Sequence, residues 1–152
     1  MLSSLHATDA TAALHRFLDM GIESFLIASS ILGIVAQRLV RRICVACKEP
    51  YEPTREALIE ARFPWEDGQE IPTLYRAGGC PTCSKTGYRG RLALHEIMPV
   101  SEEIERLAVE RASAAAIARV AREQGMETLR DDGMAKVLSG VTSLEEILRV
   151  VV

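Results

Sequence analysis

The four cysteines of this chain form two Cys-x-x-Cys pairs, Cys44 with Cys47 and Cys80 with Cys83. Because the turn inside each pair is short, both of its sulfurs can reach one centre, and its amide N–H groups can bond the thiolates. Two pairs together supply four thiolates, the closed ligand set of a structural zinc site. The segment between the pairs, residues 48–79, is longer than in the shortest zinc ribbons, so we expect it to hold structure of its own.

The residues around the cysteines agree with a metal site. Gly78 and Gly79 favour a turn at the second pair, and Lys48 and Lys85 are expected to offset part of the charge of a zinc tetrathiolate. Two alternatives stay open from the sequence. One is a pair of disulfides, which needs an oxidising compartment, and the other is a redox-active Cys-x-x-Cys.

His6 is a candidate for contact with a phosphate. It follows a predicted buried strand, residues 1–5, and precedes a predicted helix, whose first N–H groups are free to bind phosphate oxygens. The alternative is a structural histidine bonded to the hydroxyl side chains beside it. For His15, inside a predicted helix, and His95, inside a predicted strand, we expect structural roles, since neither has the paired spacing of metal ligands.

Residues 87–91 (GYRGR) are a second candidate for anion binding. The two glycines let the backbone approach a ligand closely, and the guanidinium groups of Arg89 and Arg91 can fork onto a phosphate. The alternative is a tight turn that returns to the sheet with both arginines in solvent.

Further arginines alternate along a predicted strand, so that Arg38 and Arg42 share one face and Arg41 the other. They line a cleft between subunits or cover an exposed edge, and the sequence does not decide between the two. Glu96, beside His95, is predicted to be a partner of a nearby arginine at a strand edge.

The composition is that of an ordinary globular protein. The chain has 152 residues and a formal net charge of −3, without a dense run of lysine and arginine, so we expect no nucleic-acid partner. No secretory signal is recognisable at Met1. The longest uncharged stretch, residues 24–37, is shorter than the roughly 20 apolar residues of a membrane span, so we expect no direct membrane insertion and a cytoplasmic location.

Hydrophobic periodicity and capping residues predict a mixed α/β chain. After the strand at 1–5, we expect helices, a strand, a cysteine-bearing excursion with one short helix, a return strand, and four C-terminal helices. Trp65 and Tyr75 are predicted to be the main apolar anchors of the excursion. Ser143 and Glu146 are predicted to form a capping box. The predicted elements are 10–20, 22–32, 34–43, 56–62, 91–97, 102–109, 114–124, 129–139 and 144–151.

The ordered set of motifs resembles the type II/type IV secretion ATPases, which power type II secretion and type IV pilus assembly. The motifs are residues 5–10 (LHATDA), 33–44 (GIVAQRLVRRIC), 79–83 (GCPTC), 86–91 (TGYRGR), 126–133 (METLRDDG) and 143–150 (SLEEILRV). The resemblance covers essentially the whole chain. The two cysteine pairs favour the secretion and pilus-assembly branch over the retraction motors.

This resemblance implies the C-terminal part of a RecA-like (P-loop NTPase) domain in a hexameric cytoplasmic motor. Such a motor docks on inner-membrane platform proteins, so its attachment to the membrane is peripheral. The implied parts are residues 1–43 of the ATPase core, a tetracysteine zinc insertion at 44–83, a return strand at 84–100 and a helical subdomain at 101–152.

The resemblance also implies roles for individual residues. His6 matches a histidine near the γ-phosphate, Arg91 matches an arginine beside the bound nucleotide, and the four cysteines match a surface zinc site. In the family, the phosphate-binding loop and the acidic motifs precede the segment matched here. ATP and Mg²⁺ are therefore expected only in the complete ATPase, and the isolated chain is expected to be inactive.

A second hypothesis is a non-enzymatic, zinc-containing interaction module that binds secretion or pilus machinery. The sequence holds no Gly-x-x-x-x-Gly-Lys-Ser/Thr, Gly-x-Ser-x-Gly or His-Glu-x-x-His motif, so it contains no complete catalytic constellation. The absent phosphate-binding loop is the feature that separates the hypotheses, because it favours no turnover by this chain alone.

Overall fold

The computed structural model describes residues 1–66 and 68–151 and shows a mixed α/β chain. Its elements, in order, are α1 (Ala10–Asp19), α2 (Ser24–Ser30), β1 (Gly33–Ile43), β2 (Lys48–Tyr51), α3 (Arg55–Glu60), β3 (Leu74–Ala77), a 3₁₀ helix (Pro81–Cys83), β4 (Tyr88–Pro99), α4 (Glu102–Val109), α5 (Ala114–Glu123), α6 (Leu129–Leu138) and α7 (Leu144–Val150). Within the described residues, no helix is long and apolar enough to span a bilayer.

The chain divides into two compact units that are interleaved in sequence. The first unit comprises Met1–Gln37 and His95–Leu129, and the second comprises Arg38–Leu94 and Arg130–Val152. The strands β1 and β4 therefore each begin in one unit and end in the other. The division into four parts at residues 43, 83 and 100 stays a prediction.

The first unit is built from four helices and the adjoining ends of the two long strands. Helix α1 starts at Asp9, whose carboxylate accepts the Ala12 N–H, and ends before Gly21, where φ is +79° and suits glycine. The capping serines predicted for α4 and α5 are confirmed, since the Ser101 and Ser113 hydroxyls each accept an amide of the following turn. The core of the unit contains Leu14, Ile27, Met98, Ile104 and Ile117, all buried.

Strands β1 and β4 pair with each other. The Val100 N–H bonds the Leu32 carbonyl just beyond one end of the pair, and the Cys44 N–H bonds the Gly87 carbonyl just beyond the other, so the strands run antiparallel. The cysteine-bearing segment leaves β1 and returns in β4. This confirms that the segment is an excursion between two neighbouring strands.

The second unit contains a small hairpin and its supporting helices. Strands β2 and β3 pair antiparallel, with Lys48 opposite Ala77 and Tyr51 opposite Leu74. Leu58 of α3, Phe63 and Leu74 are buried, whereas Trp65 and Tyr75 are only half-buried. The prediction that Trp65 and Tyr75 are the main anchors is therefore wrong, because smaller apolar side chains fill the interior.

The predicted strand at residues 1–5 is also wrong. These residues have no regular secondary structure and are exposed, with Met1 and Leu2 accessible over their whole surface. A strand needs a neighbour for its N–H and C=O groups. No described residue pairs with this segment, so its apolar composition alone does not make it a strand.

Candidate metal centre

The four cysteine thiols converge on one point. Their sulfur atoms all lie within 4.8 Å of one another. The Sγ–Sγ distances are 3.9 Å for Cys44 and Cys80, 3.8 Å for Cys47 and Cys83, and 3.7 Å for Cys80 and Cys83. Four sulfurs at tetrahedral corners, each about 2.3 Å from a zinc ion, would be about 3.8 Å apart. The donor set and its spacing therefore fit zinc.

Backbone amides point at the sulfurs from both sides of the second pair. The Gly79 N–H donates to the Cys47 Sγ, and the N–H groups of Cys80 and Gly87 donate to the Cys83 Sγ, each at 3.2 Å. Hydrogen bonds of this kind stabilise the charged form of an acceptor. The loop is thus organised to hold thiolates.

Glycines let the two cysteine turns approach each other. A Cβ atom on Gly78 would lie 2.3 Å from the carbonyl oxygen of Cys47, which no rotamer change relieves because both groups are backbone. At Gly79, φ is +98°, a conformation that favours glycine, and a Cβ there would lie 2.8 Å from the Lys85 carbonyl oxygen. Gly78 and Gly79 have no regular secondary structure themselves, and the turn of the second pair is the 3₁₀ helix Pro81–Cys83 just after them.

The β2–β3 hairpin positions the two cysteine pairs. Cys47 lies immediately before β2, and Cys80 lies three residues after the end of β3. Because Lys48 pairs with Ala77, the ladder brings these two ends of the hairpin side by side. The first pair closes with a bond from the Cys47 N–H to the Cys44 carbonyl, and the second with the equivalent bond from Cys83 to Cys80.

The proton affinities of the thiols differ strongly within the cluster. Donation by the Cys80 amide, with that of Gly87, lowers the pKa of the Cys83 thiol to about 6. Burial raises the pKa of the Cys47 thiol to about 12, against the opposing effect of the Gly79 amide. Four neighbouring thiolates repel one another, so a divalent cation is what would let all four lose their protons.

The geometry does not support the disulfide alternative. All four cysteines are free. The sulfur distances of 3.7–3.9 Å are far above the roughly 2.0 Å of an S–S bond. Four protein ligands also leave no open position on a tetrahedral ion, which is the arrangement of structural rather than catalytic zinc.

Lys48 does not face the thiols as predicted. Its ammonium group donates to the Gly140 carbonyl at 3.3 Å and lies 4.2 Å from the centre of the Tyr75 ring. The carbonyl groups after α6 attract a cation, as does the ring face, and together they hold the side chain away from the cysteines. Lys85 is exposed in the turn that follows Cys83.

A buried carboxylate, Glu146, organises a second charged cluster in the same unit. It accepts from the Arg41 amide at 2.9 Å, and its oxygens pair with the guanidinium groups of Arg41 and Arg149 at 2.6 and 2.7 Å. The Arg41 guanidinium also stacks on the Tyr88 ring, 4.0 Å from its centre. Burial works to raise the pKa of Glu146, but the two arginines outweigh it and lower that pKa to about 2.

This cluster corrects the predicted capping box. The Ser143 hydroxyl does accept the Glu146 amide at 3.2 Å, so the first half of the box is present. The Glu146 carboxylate binds Arg41 and Arg149 instead of reaching back to the Ser143 amide. Two guanidinium groups compete better for a carboxylate than one neutral amide does. The Ser143 hydroxyl is also hydrogen-bonded to the Tyr88 hydroxyl, at 2.7 Å.

Glu96 also differs from its prediction. It is 4% exposed, and its two oxygens accept from the amides of Ala10, at 2.8 Å, and Leu129, at 3.2 Å. It is a buried acceptor for backbone amides, so the predicted role as a strand-edge partner of an arginine is wrong. The signal in the sequence was its even spacing from the buried residues Leu94 and Met98, which places it on the inner face of β4.

The remaining candidates are exposed or only partly covered. His6 is exposed in the first unit, before α1, and Arg91 is exposed on the part of β4 that belongs to the second unit. Their roles at a nucleotide stay predictions. His95 is exposed on β4, while the Nε2 atom of His15 is buried and has no hydrogen-bond partner within the part of the chain that the structure describes.

Comparison with known proteins gives a consistent result. Residues 1–149 match the family described as type II/IV secretion system protein. Similar curated proteins include the type II secretion system ATPase E of Vibrio cholerae, 45% identical over 99% of this chain, and the type IV pilus assembly ATPase PilB of Thermus thermophilus, 42% identical over 97%. A third is the putative type II secretion system protein E of Escherichia coli K12, 39% identical over 99%.

The chain spans only 29%, 16% and 30% of the lengths of these three relatives. The activity of a whole relative therefore does not transfer to this chain as an observation. The match nevertheless covers residues 1–149 of the 152 residues and confirms the resemblance drawn from the motifs. By this match, the chain belongs to the type II/IV secretion system protein family.

Proposed function

We propose that this chain is the C-terminal part of a motor ATPase that powers type II secretion or type IV pilus assembly. The observation that carries the proposal is the family match over residues 1–149, together with relatives that are named as ATPases of these two systems. In this proposal, the chain completes a RecA-like core whose phosphate-binding loop lies outside these 152 residues. The motor is a cytoplasmic homo-hexamer that is attached to the inner membrane through platform proteins.

The four cysteines of the proposed motor part hold one zinc ion. Cys44, Cys47, Cys80 and Cys83 supply its ligands, and the ion supplies a cross-link between the two ends of the hairpin. The backbone amides of Gly79, Cys80 and Gly87 orient the thiolates toward the ion. The ion has a structural role in this proposal and takes no part in ATP hydrolysis.

His6 and Arg91 are the proposed contributions to the nucleotide site. His6 would face the γ-phosphate and Arg91 would lie beside the nucleotide, in a site completed by the rest of the motor with ATP and Mg²⁺. Both side chains are exposed here, which leaves them free to meet a ligand. Arginine suits this role because its planar guanidinium group can donate two parallel bonds to phosphate oxygens.

The first experiment measures metal content and ATP turnover on one sample of the chain, purified without added metal. We expect about one zinc ion per chain, as a closed four-cysteine site requires, and no turnover. Cys83→Ser should lose the zinc, whereas Ser84→Ala, beside it and outside the ligand set, should keep it. A chain that folds without zinc and with four reactive thiols would contradict the metal proposal.

The second experiment tests the motor proposal in a full-length protein. In a chimaera, this chain replaces the matching segment of the Vibrio cholerae ATPase, and turnover is compared with that of the unaltered relative. We expect an active chimaera that loses turnover on His6→Ala or Arg91→Ala. An inactive chimaera that folds and binds zinc would instead favour an interaction module.

A further inference from the structure

Glu96 joins the starting points of two helices. One carboxylate oxygen accepts the N–H of Ala10, the first residue of α1, at 2.8 Å, and the other accepts the N–H of Leu129, the first residue of α6, at 3.2 Å. The residue is 4% exposed, and all three residues lie in the first unit. We call this arrangement of Glu96, Ala10 and Leu129 the Glu96 clamp.

The clamp provides hydrogen-bond partners both for the first amides of two helices and for a buried carboxylate. The first amides of a helix have no partner inside the helix, and a buried carboxylate needs donors to replace water. The partial positive charge at a helix N-terminus also favours an anion. With one oxygen on each helix, both amides and the carboxylate are satisfied, and the position of Glu96 on β4 fixes where the two helices begin.

The chain just before Ala10 is tied down by a second carboxylate. Asp9 accepts from the Ala12 amide at 2.8 Å and from the hydroxyls of Thr11 and Thr8, at 2.7 and 2.9 Å. Residues 8–12 therefore form one hydrogen-bonded turn whose position is set at Ala10 by the clamp. His6 lies two residues before this turn, so the position of the turn limits the positions that the His6 imidazole can reach.

The clamp also joins two motifs for which the proposed function gives no common role. Ala10 ends the motif at residues 5–10, and Leu129 lies inside the motif at residues 126–133. These motifs are far apart in sequence, and their side chains share no common chemistry. Glu96 connects the two motifs through their backbone amides. The identities of the residues therefore do not reveal this connection.

We propose that Glu96 is a positioning residue for His6: by holding the first amides of α1 and α6, it sets the segment that presents the imidazole to the nucleotide. This inference rests on the proposed function, because it assigns His6 to the nucleotide site. Glu96 itself does not touch the nucleotide. It acts through Ala10 and the turn at residues 8–12.

The first measurement is amide hydrogen exchange of the zinc-loaded chain, which needs no ATP. Glu96→Gln keeps the shape of the side chain but replaces one acceptor oxygen with an NH₂ group, which cannot accept from an amide. We expect faster exchange at Ala10 or Leu129, with α4 and α5 unchanged. The matched control is Glu102→Gln, the same change at an exposed residue of the same unit. Unchanged exchange at both amides in Glu96→Gln would overturn the clamp.

The second measurement compares Glu96→Gln, His6→Ala and the double variant in the full-length chimaera. Misplacement of a reacting group lowers kcat, so we expect a loss of about tenfold or more in kcat from Glu96→Gln, with the KM for ATP little changed. The kcat of the double variant should be no lower than that of His6→Ala alone, because both changes remove the same contribution, that of the positioned imidazole. A merely structural Glu96 would give losses that multiply and that follow the fraction of unfolded protein.

The outcomes separate the two proposals. If His6→Ala leaves turnover unchanged, the proposed role of His6 fails, and the positioning role fails with it, whatever the amide exchange shows. If His6→Ala lowers turnover while Glu96→Gln changes exchange but not kcat, only the positioning role is overturned. A chimaera without turnover, beside an active relative, contradicts the proposed function, while the exchange at Ala10 and Leu129 still decides whether the clamp exists.

Discussion

The ionisation of the buried Glu146 carboxylate is tied to the stability of the folded chain. Its pKa is lowered to about 2, whereas an unfolded glutamate titrates near 4.3. A lowered folded-state pKa means that the stabilisation is present above the unfolded pKa and is lost as the pH falls through the folded one. We therefore expect the contribution of Glu146 to fall between about pH 4.5 and pH 2.

The variant Glu146→Gln isolates this contribution. At pH 7 we expect it to lower the free energy of unfolding by about 1–3 kcal/mol, since it removes charge-assisted bonds while Arg41 and Arg149 can turn to water. The control is Glu145→Gln at the exposed neighbouring position. Acid also releases zinc from both variants, so the measured quantity is the difference between them in denaturant unfolding. A difference that stays constant from pH 7 to pH 2.5 would contradict the assignment.

At this scale, the sequence predicted the clustering of the cysteines better than the hydrogen-bond partners of the buried carboxylates. The cysteines were recognisable because zinc demands four thiolates of fixed spacing, and each pair is local. The partners of the Glu96 and Glu146 carboxylates were predicted wrongly because they are distant: Ala10 is 86 residues from Glu96, and Arg41 is 105 residues from Glu146. Which amide or guanidinium group meets a buried carboxylate depends on the packing of elements, and a single sequence does not reveal it.

At the scale of the elements, the β2–β3 hairpin has a small apolar interior, and under the proposed function it also depends on the metal. Leu74 of β3 is fully buried, whereas Ile59 of α3, a side chain of equal size, is 68% exposed. We expect Leu74→Ala to destabilise the chain by about 2–5 kcal/mol and Ile59→Ala to have little effect. Measured by competition with a chelator, the zinc affinity should fall only in Leu74→Ala. Equal zinc affinity in both variants would mean that the cysteines hold the hairpin without help from its core.

The helices were predictable where their signals are local. The side chains of four residues each accept the amide three residues further on, so the sequence alone placed the starts of four helices: Asp9, Ser101, Ser113 and Ser143. The strand predicted at residues 1–5 had no such signal, since a strand is completed by a neighbour elsewhere. The prediction that Trp65 and Tyr75 are the main anchors was wrong because size alone does not determine which side chains a small unit buries.

At the scale of the whole molecule, the four cysteines and the apolar cluster around Leu14 and Ile117 belong to different units. All four cysteines lie within Arg38–Leu94, while Leu14, Ile27, Ile104 and Ile117 lie in the first unit. Metal binding supplies folding free energy to the part of a chain that forms the site. Removal of zinc should therefore act unequally along this chain.

Hydrogen exchange with and without a chelator measures this inequality. After zinc removal, we expect amides of the cysteine turns and of the β2–β3 hairpin to exchange much faster, while those of α4 and α5 keep their protection, because the helices of the first unit bury their own apolar side chains. Cys83→Ser should reproduce this pattern without a chelator, and Ser84→Ala treated identically should not. A uniform loss of protection in both units would show instead that zinc stabilises one cooperative structure. In that case, removing a cysteine from a full-length motor would unfold the nucleotide-binding part as well as the zinc-bearing hairpin. The resulting loss of turnover would then reflect unfolding of both parts.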